Sequence, residues 1–136
     1  MPGSNLPLAM LGGLMLMFGW FGFNGGSALA FDGRVPGIIA NTVLAAIAGT
    51  LGGMVMSWLR WRLVDPVYPL NGLIAGMVAV TAGAHVVDAG AALLIGLGGA
   101  VVMYLADRLL THLRIDDAVG AVPVHLAAGI WGTLAV

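Results

Sequence analysis

The stretch Ile38–Trp58, IIANTVLAAIAGTLGGMVMSW, decides the fold. It contains 21 consecutive residues without an Asp, Glu, Lys or Arg. An apolar helix of about 20 residues is long enough to cross the ~30 Å hydrocarbon core of a bilayer. The stretch therefore predicts a transmembrane helix rather than the core helix of a soluble domain.

Four further apolar runs flank this stretch, separated by charged and turn-forming residues. Their approximate bounds are Leu6–Phe23, Leu70–Val87, Ala89–Ala106 and Ala118–Val136. Because the connections are short and a lipid-embedded backbone must satisfy its own hydrogen bonds, successive runs form antiparallel helices. We predict an all-α, polytopic transmembrane bundle of about five spans over residues 1–136.

The composition argues against several classes of protein. Hydrophobic residues make up 60% of the chain and charged residues only 8%, whereas a soluble domain carries roughly 25% charged residues. The net charge is −1 and lysine is absent, so nucleic acid is not an expected partner. No nucleophile, phosphate-loop, dinucleotide or zinc motif occurs, and His85 and His112 are expected on opposite membrane sides. We predict no enzyme activity, no metal site and no cofactor.

Arginine placement predicts the orientation of the bundle. Arg60 and Arg62 follow the second run, and Arg108 and Arg114 follow the fourth. An even number of crossings separates these loops, so they share one side, which the positive-inside rule makes cytoplasmic. The chain then starts inside, and Ser27 lies outside. We expect a multi-pass protein of the cell inner (plasma) membrane.

His125 is the most informative polar residue. It lies about 12 Å above Asp117 at 1.5 Å per helical residue, which places it near the middle of the bilayer. A histidine at this depth indicates either a pore-lining imidazole or a structural side chain bonded to a neighbouring helix carbonyl. Pro123 withholds an amide from the Val119 carbonyl, and Gly129 leaves space one turn above, so a cavity is favoured.

The first run ends in Gly19–Ser27, GWFGFNGGS, at the predicted outer face. Aromatic residues at an interface are typical of the ordinary membrane belt. Here we also expect Gly22, Gly25 and Gly26 to break the helix, and the exposed rings and the Ser27 hydroxyl to attract a small cation.

Two carboxylates open the fifth run. Asp116 and Asp117 precede its first apolar residues, where carboxylates accept hydrogen bonds from free backbone amides and favour the positive end of a helix. We interpret both as structural caps rather than as catalytic or ion-relay groups.

Several motifs resemble the ammonium transporter (Amt/Mep/Rh) family in order and spacing. They are Phe18–Ser27 (FGWFGFNGGS), Asn71–Gly76 (NGLIAG), Ile115–Asp117 (IDD), Val124-His125 and Gly129–Gly132 (GIWG). The resemblance covers nearly the whole chain and corresponds to the sixth to tenth helices of an eleven-helix, usually trimeric bundle. It implies a partial ammonium transporter domain that other helices precede and follow, and the apolar run that ends at Val136 agrees with a truncated chain.

The resemblance also implies roles for individual side chains. Ser27 looks like the hydroxyl that helps to recruit ammonium at the outer vestibule. Phe23 looks like one of two stacked phenylalanines that gate the pore, and Trp20 and Ile74 match pore-lining positions. His125 matches the second of the family's paired pore histidines.

The implied function is channel-like transport of ammonium or ammonia across a lipid bilayer by a homotrimer, with the 136-residue chain alone inactive. Two alternatives stay open. The segment Gly120–His125, GAVPVH, with glycine where many members have aspartate, is similar to the branch fused to signalling modules, so the chain could belong to an ammonium-sensing receptor. The third interpretation is a structural half-bundle without independent activity.

Overall fold

The computed structural model describes residues 5–136, and this part of the chain contains helices and turns without any strand. The helices are α1 (Leu6–Gly26), α2 (Val35–Trp61), α3 (Val67–Val80), α4 (Ala89–His112) and a last helix that begins as a π-helical segment (Val122–Ala127) and continues as α5 (Ala128–Leu134). The prediction of an all-α bundle of about five helices is confirmed. By length and composition α1, α2 and α4 could each cross a membrane, whereas α3 and the last helix are shorter apolar helices.

Helix α1 runs through two of the three glycines that were expected to break it. Gly22 and Gly25 lie within the helix, so the prediction is wrong for them, whereas Gly26 is the last residue of the helix. A helical glycine costs roughly 1 kcal/mol relative to alanine, but Gly25 lets α1 approach α2 closely, because a Cβ there would come within 3.3 Å of Val35. Asn5 caps the other end, where its side chain accepts a hydrogen bond from the Leu8 amide.

Helix α3 is shorter than the apolar run that contains it. The run extends to Val87, but the helix ends at Val80 and residues 81–86 form turns. Asn41 of α2 stabilises this ending because its side-chain amide donates to the carbonyls of Ala84 and Val87, at 3.1 and 2.8 Å. A polar side chain on another helix therefore satisfies carbonyls that the turn would leave unpaired.

Close backbone contacts hold α2, α3 and α4 together as the core of the bundle. A Cβ at Gly49 would collide with the carbonyl of Gly72, and one at Gly76 or Gly96 would collide with the carbonyl of Ala45. Small residues allow helix backbones to meet at such short range in lipid, where dispersion and weak hydrogen bonds replace the hydrophobic effect. These glycines fix how the three helices cross.

Polar groups concentrate at the two ends of the bundle. At one end the Tyr68 hydroxyl donates to Asp107 at 2.6 Å, and Arg60 donates to that hydroxyl at 3.4 Å. At the other end Arg34 and Asp32 form an ion pair at 2.8 Å. The side-chain hydrogen bonds from Arg34 hold the pKa of Asp32 below its usual value. The sides of the bundle between these ends expose large apolar side chains, which suits lipid or further protein.

Candidate functional site

The imidazole of His125 lies against the indole of Trp20, although α1 and the last helix are far apart in sequence. The ring centroids are 6.2 Å apart and the planes are inclined by 26°, which is a stacked arrangement. Trp20 also packs against Phe23 with a centroid distance of 5.7 Å. Three residues that the sequence singled out therefore form one continuous group of rings.

The start of the last helix sets the direction of His125. The Asp117 carboxylate accepts hydrogen bonds from the amides of Ala121 and Val122, at 3.0 and 2.7 Å. Pro123 then has no amide to donate, and the chain continues as a π-helical turn. Segments of this kind are rare and occur frequently at functional sites. Asp117 thus has the geometry of a cap, and the neighbouring Asp116 also has an interaction partner.

Two open grooves border this group of rings. His125 and Gly129 line a groove of about 440 Å³ together with side chains of α5. Trp20 and Phe23 line a groove of about 410 Å³ along α1. The structural interpretation of His125 required a hydrogen bond from the imidazole to a helix carbonyl. Within residues 5–136 the imidazole makes a ring contact but no such hydrogen bond.

Thr81 holds the indole of Trp20 in place. The indole N–H donates to the Thr81 hydroxyl at 2.9 Å, and that hydroxyl donates to the Met77 carbonyl at 2.7 Å. The sequence reasoning did not select Thr81. Its signal was a hydroxyl inside a largely apolar run, but the partner lies 61 residues away along the chain.

Ile74 lies behind these rings rather than along the grooves. It is 8% exposed and belongs to a buried cluster with Met77 and Val124, against which Trp20 packs. Ile74 therefore belongs to the packing beneath Trp20. The grooves beside His125 and Phe23 do not include it.

Ser27 follows the last residue of α1 and lines a third, more enclosed space, which we call the polar cavity. This cavity has a volume of about 240 Å³ and is also lined by Asn24, Arg34, Thr81 and His85. The Ser27 side chain is exposed, and its hydroxyl donates to the Phe23 carbonyl at 2.6 Å. The sequence reasoning missed Asn24 as a candidate ligand, although it belongs to the quoted aromatic motif.

Within the part of the chain that the structure describes, no three histidine, cysteine or acidic side chains approach one another closely enough to hold a metal ion. His85 borders the polar cavity, and His112 ends α4 at the opposite end of the bundle.

Comparison with known proteins gives matches over the whole chain. Residues 1–136 match the family model described as Ammonium Transporter Family. A relative from Synechocystis is 47% identical over 134 residues, which is 98% of this chain and 25% of the relative. Ammonium transporter Amt2 of Archaeoglobus fulgidus is 42% identical over 136 residues, which is 99% of this chain and 29% of the relative. The chain thus spans between a quarter and a third of the length of these two relatives.

Solved structures also match most of this chain. A protein named Sensor Amt Protein superposes with a TM-score of 0.93 and 36% identity, covering 96% of this chain and 33% of the other. Mep2 of Saccharomyces cerevisiae superposes with a TM-score of 0.87 and 37% identity, covering 92% of this chain and 30% of the other.

Proposed function

Because the chain belongs to the ammonium transporter family, we propose that the complete protein moves ammonium or ammonia across a membrane and that Trp20, Phe23 and His125 line its path. The stack of His125 on Trp20, beside two grooves with mostly apolar walls, is the observation that carries this proposal. Family membership also favours a transporter over an enzyme.

The proposed path begins at Ser27, where ammonium is recruited and transfers a proton to water on the outer side. Ammonia then passes Phe23 and reaches His125. An apolar groove disfavours an ion strongly but accepts a small neutral molecule at lower cost. A neutral imidazole can accept a hydrogen bond from ammonia or donate one to it without adding charge.

Replacement of His125 tests the path. In the full-length gene product, His125→Ala is expected to lower methylammonium uptake at least about tenfold, which corresponds to the loss of one hydrogen bond of ~1.4 kcal/mol. His112→Ala is the matched control, since His112 is exposed at the far end of α4. Uptake by His125→Ala at the wild-type level and selectivity would refute the role of the imidazole.

The proposed setting is the inner (plasma) membrane, with the Arg60 end cytoplasmic and Ser27 outside. The contacts among Arg60, Tyr68 and Asp107 support a shared side for the two arginine loops. Since this chain has no cysteine, Ser27→Cys and His112→Cys can be labelled in a background freed of other cysteines. A membrane-impermeant maleimide is expected to label Ser27→Cys in intact cells and His112→Cys only after permeabilisation. The reverse result would invert the orientation.

The functional unit is proposed to be a homotrimer of the full-length protein, with ammonium or ammonia and the bilayer as partners and without nucleic acid. The isolated 136-residue chain is proposed to be a structural half-bundle that does not conduct, because both grooves are open at the side and lipid would meet a polar ring there. Ammonia flux in liposomes that hold this chain alone would overturn the second statement.

A sensing role is the second candidate function. It is favoured by the likeness to the structure named Sensor Amt Protein, at 36% identity over 96% of this chain. In this alternative, ammonium binding at the same site shifts the conformation of the bundle and alters an attached signalling module. Sequencing the gene beyond Val136 distinguishes the candidates, because an in-frame kinase or cyclase module favours sensing and a short tail favours transport.

A further inference from the structure

The exposed face of α2 ends in a tryptophan and an arginine. Ile47, Leu51, Val55 and Trp58 follow one another at helical spacing, so they share one side of the helix, and each is about half exposed. Arg62 comes one turn after Trp58, at the C-cap of α2. A tryptophan at the end of an apolar stripe is typical of the boundary between the hydrocarbon and the headgroups of a membrane.

The length of α2 places this ending in the headgroup region. The helix has 27 residues, which at ~1.5 Å per residue span ~40 Å, about the thickness of a bilayer with its headgroups. Its first residue is Val35, next to the ion pair of Arg34 and Asp32 at the opposite end of the bundle. The last turn of α2 therefore lies at the level of the lipid phosphates when the helix crosses the membrane.

Two guanidinium groups at this end of α2 lie over indole rings. The Cζ atom of Arg62 is 5.0 Å from the centroid of Trp58, and that of Arg60 is 4.2 Å from the centroid of Trp61. Stacking on an aromatic face attracts a guanidinium and leaves the N–H donors along its edge open. The indoles thus hold two positive charges beside the end of the apolar stripe.

No carboxylate within the described range 5–136 forms an ion pair with either arginine. Asp107 instead accepts a hydrogen bond from the Tyr68 hydroxyl at 2.6 Å, and Asp65 accepts one from a backbone amide of its own loop at 3.0 Å. Arg60 makes only a long hydrogen bond, of 3.4 Å, to Tyr68. Both guanidinium groups therefore keep donors for a partner outside this part of the chain.

Ser57 fixes the loop that presents these arginines. Its hydroxyl donates to the Leu63 carbonyl at 3.2 Å and accepts from the Asp65 amide at 2.8 Å. Arg62 has a left-handed φ of 56°, and the side chain of Leu63 beside it is 71% exposed. A fixed loop with an exposed leucine next to positive charge suits contact with a membrane surface.

A phosphate matches this arrangement, because a guanidinium can donate two parallel hydrogen bonds to it. We propose that the end of α2 binds the phosphate headgroup of an anionic membrane lipid, with Arg60 and Arg62 as donors and Trp58 against the acyl chains. The apolar stripe before the arginines favours a lipid over a soluble phosphate. The proposed orientation puts this end in the cytoplasmic leaflet, whose anionic lipids attract arginine. The inference depends on the bilayer setting and not on the conduction of ammonium.

Brominated lipids test the site, because bromine quenches the fluorescence of a nearby tryptophan. The full-length gene product is reconstituted in phosphatidylcholine that contains either brominated phosphatidic acid, whose headgroup is the phosphate alone, or brominated phosphatidylcholine. The quenching of Trp58 and Trp61 is obtained by difference from the Trp58→Phe/Trp61→Phe variant. We expect these rings to prefer phosphatidic acid at least about fivefold, the factor that one arginine contributes near an anionic surface.

Two double variants, each with its own phenylalanine counterpart, separate a local site from a general effect of charge. Arg60→Gln/Arg62→Gln is expected to lower the preference at least about fivefold. Arg108→Gln/Arg114→Gln removes the same charge from exposed positions near the end of α4. Because salt screens distant exposed charges, this control should keep the preference within about twofold of wild type. Equal losses in the two variants, or no loss in Arg60→Gln/Arg62→Gln, would overturn the inference.

Other outcomes also contradict a lipid site. Rings that neither lipid quenches would mean that a second copy or another helix covers the stripe. A preference that disappears on addition of inorganic phosphate would assign the arginines to a soluble ligand. If Arg60→Gln/Arg62→Gln does not fold, Arg62→Gln alone decides, because the Arg62 side chain makes no hydrogen bond within residues 5–136. A fall of about fivefold supports the site, and an unchanged preference refutes it.

Discussion

The core of α2, α3 and α4 and the face between α1 and the last helix are held together in different ways. In the core, glycines bring carbonyls of one helix against the backbone of the next, as at Gly76 and Ala45. At the open face, large rings meet instead, and single hydrogen bonds such as Trp20 to Thr81 hold them. Small residues therefore allow the close helix packing of the core, whereas polar contacts orient the side chains of the site. Mutations in the core should therefore mainly lower stability, whereas mutations at the open face should mainly lower transport.

A substitution in the core should have the largest effect on stability. Gly76→Ala places a methyl group against the Ala45 carbonyl, where neither backbone can yield. We expect a loss of about 3 kcal/mol or more, seen as a large fall in Tm or in the yield of monodisperse protein in detergent. Gly37→Ala is the control, because its Cβ would meet nothing within 4 Å. Equal Tm values for the two variants would contradict the account of the core.

Thr81 should show an intermediate effect on function and a smaller one on folding. Thr81→Val keeps the shape but removes the acceptor for the Trp20 indole, at a cost of about 1–2 kcal/mol. We expect the maximal rate of methylammonium uptake to fall about tenfold, while Tm changes by only a few degrees. Thr81→Ser restores the hydroxyl and should recover most of the rate. A Ser variant as poor as the Val variant would show that the methyl group, rather than the hydrogen bond, matters.

Asp117 should show the smallest effect of the three. Asp117→Ala removes the acceptor for the amides of Ala121 and Val122, which costs about 1 kcal/mol in a typical cap. A modest fall in Tm is expected, together with a small loss of uptake because His125 lies about one helical turn beyond the amides of Ala121 and Val122. Asp117→Asn retains one acceptor oxygen, so its Tm should lie between those of the wild type and Asp117→Ala. A Tm unchanged in Asp117→Ala would rule out the capping role.

The difference between the core and the open face also explains what could be predicted from the sequence. The helical fold follows from long charge-free runs such as Ile38–Trp58, because length and hydropathy are local properties. The choice of Trp20, Phe23 and His125 came from unusual residue types within those runs and from the family resemblance. The structure brings these three side chains together, while their roles in conduction stay predictions.

What could not be predicted depends on contacts between distant residues. Apolar composition continues past Val80, so the end of α3 depends on the bonds from Asn41 to the following turn. Gly22 and Gly25 were expected to break α1, but the helix continues through both, and Gly25 packs against the neighbouring helix α2. Asn24 Oδ1 likewise accepts no hydrogen bond from residues 5–136, while the nitrogen of the same amide donates to Thr42, which lies on another helix.

The central claim is that the groove beside His125 is part of the path for ammonia. Gly129 lines this groove, and a Cβ there would be in ordinary contact with Val78 at 3.6 Å, so Gly129→Cys should fold. The measurement is the ammonia-driven rise of internal pH in liposomes that hold the purified full-length protein, before and after a bulky maleimide reacts with this cysteine. We predict that labelling Gly129→Cys abolishes the accelerated rise and that labelling Gly37→Cys does not. An unchanged rise after complete labelling of Gly129→Cys would contradict the account.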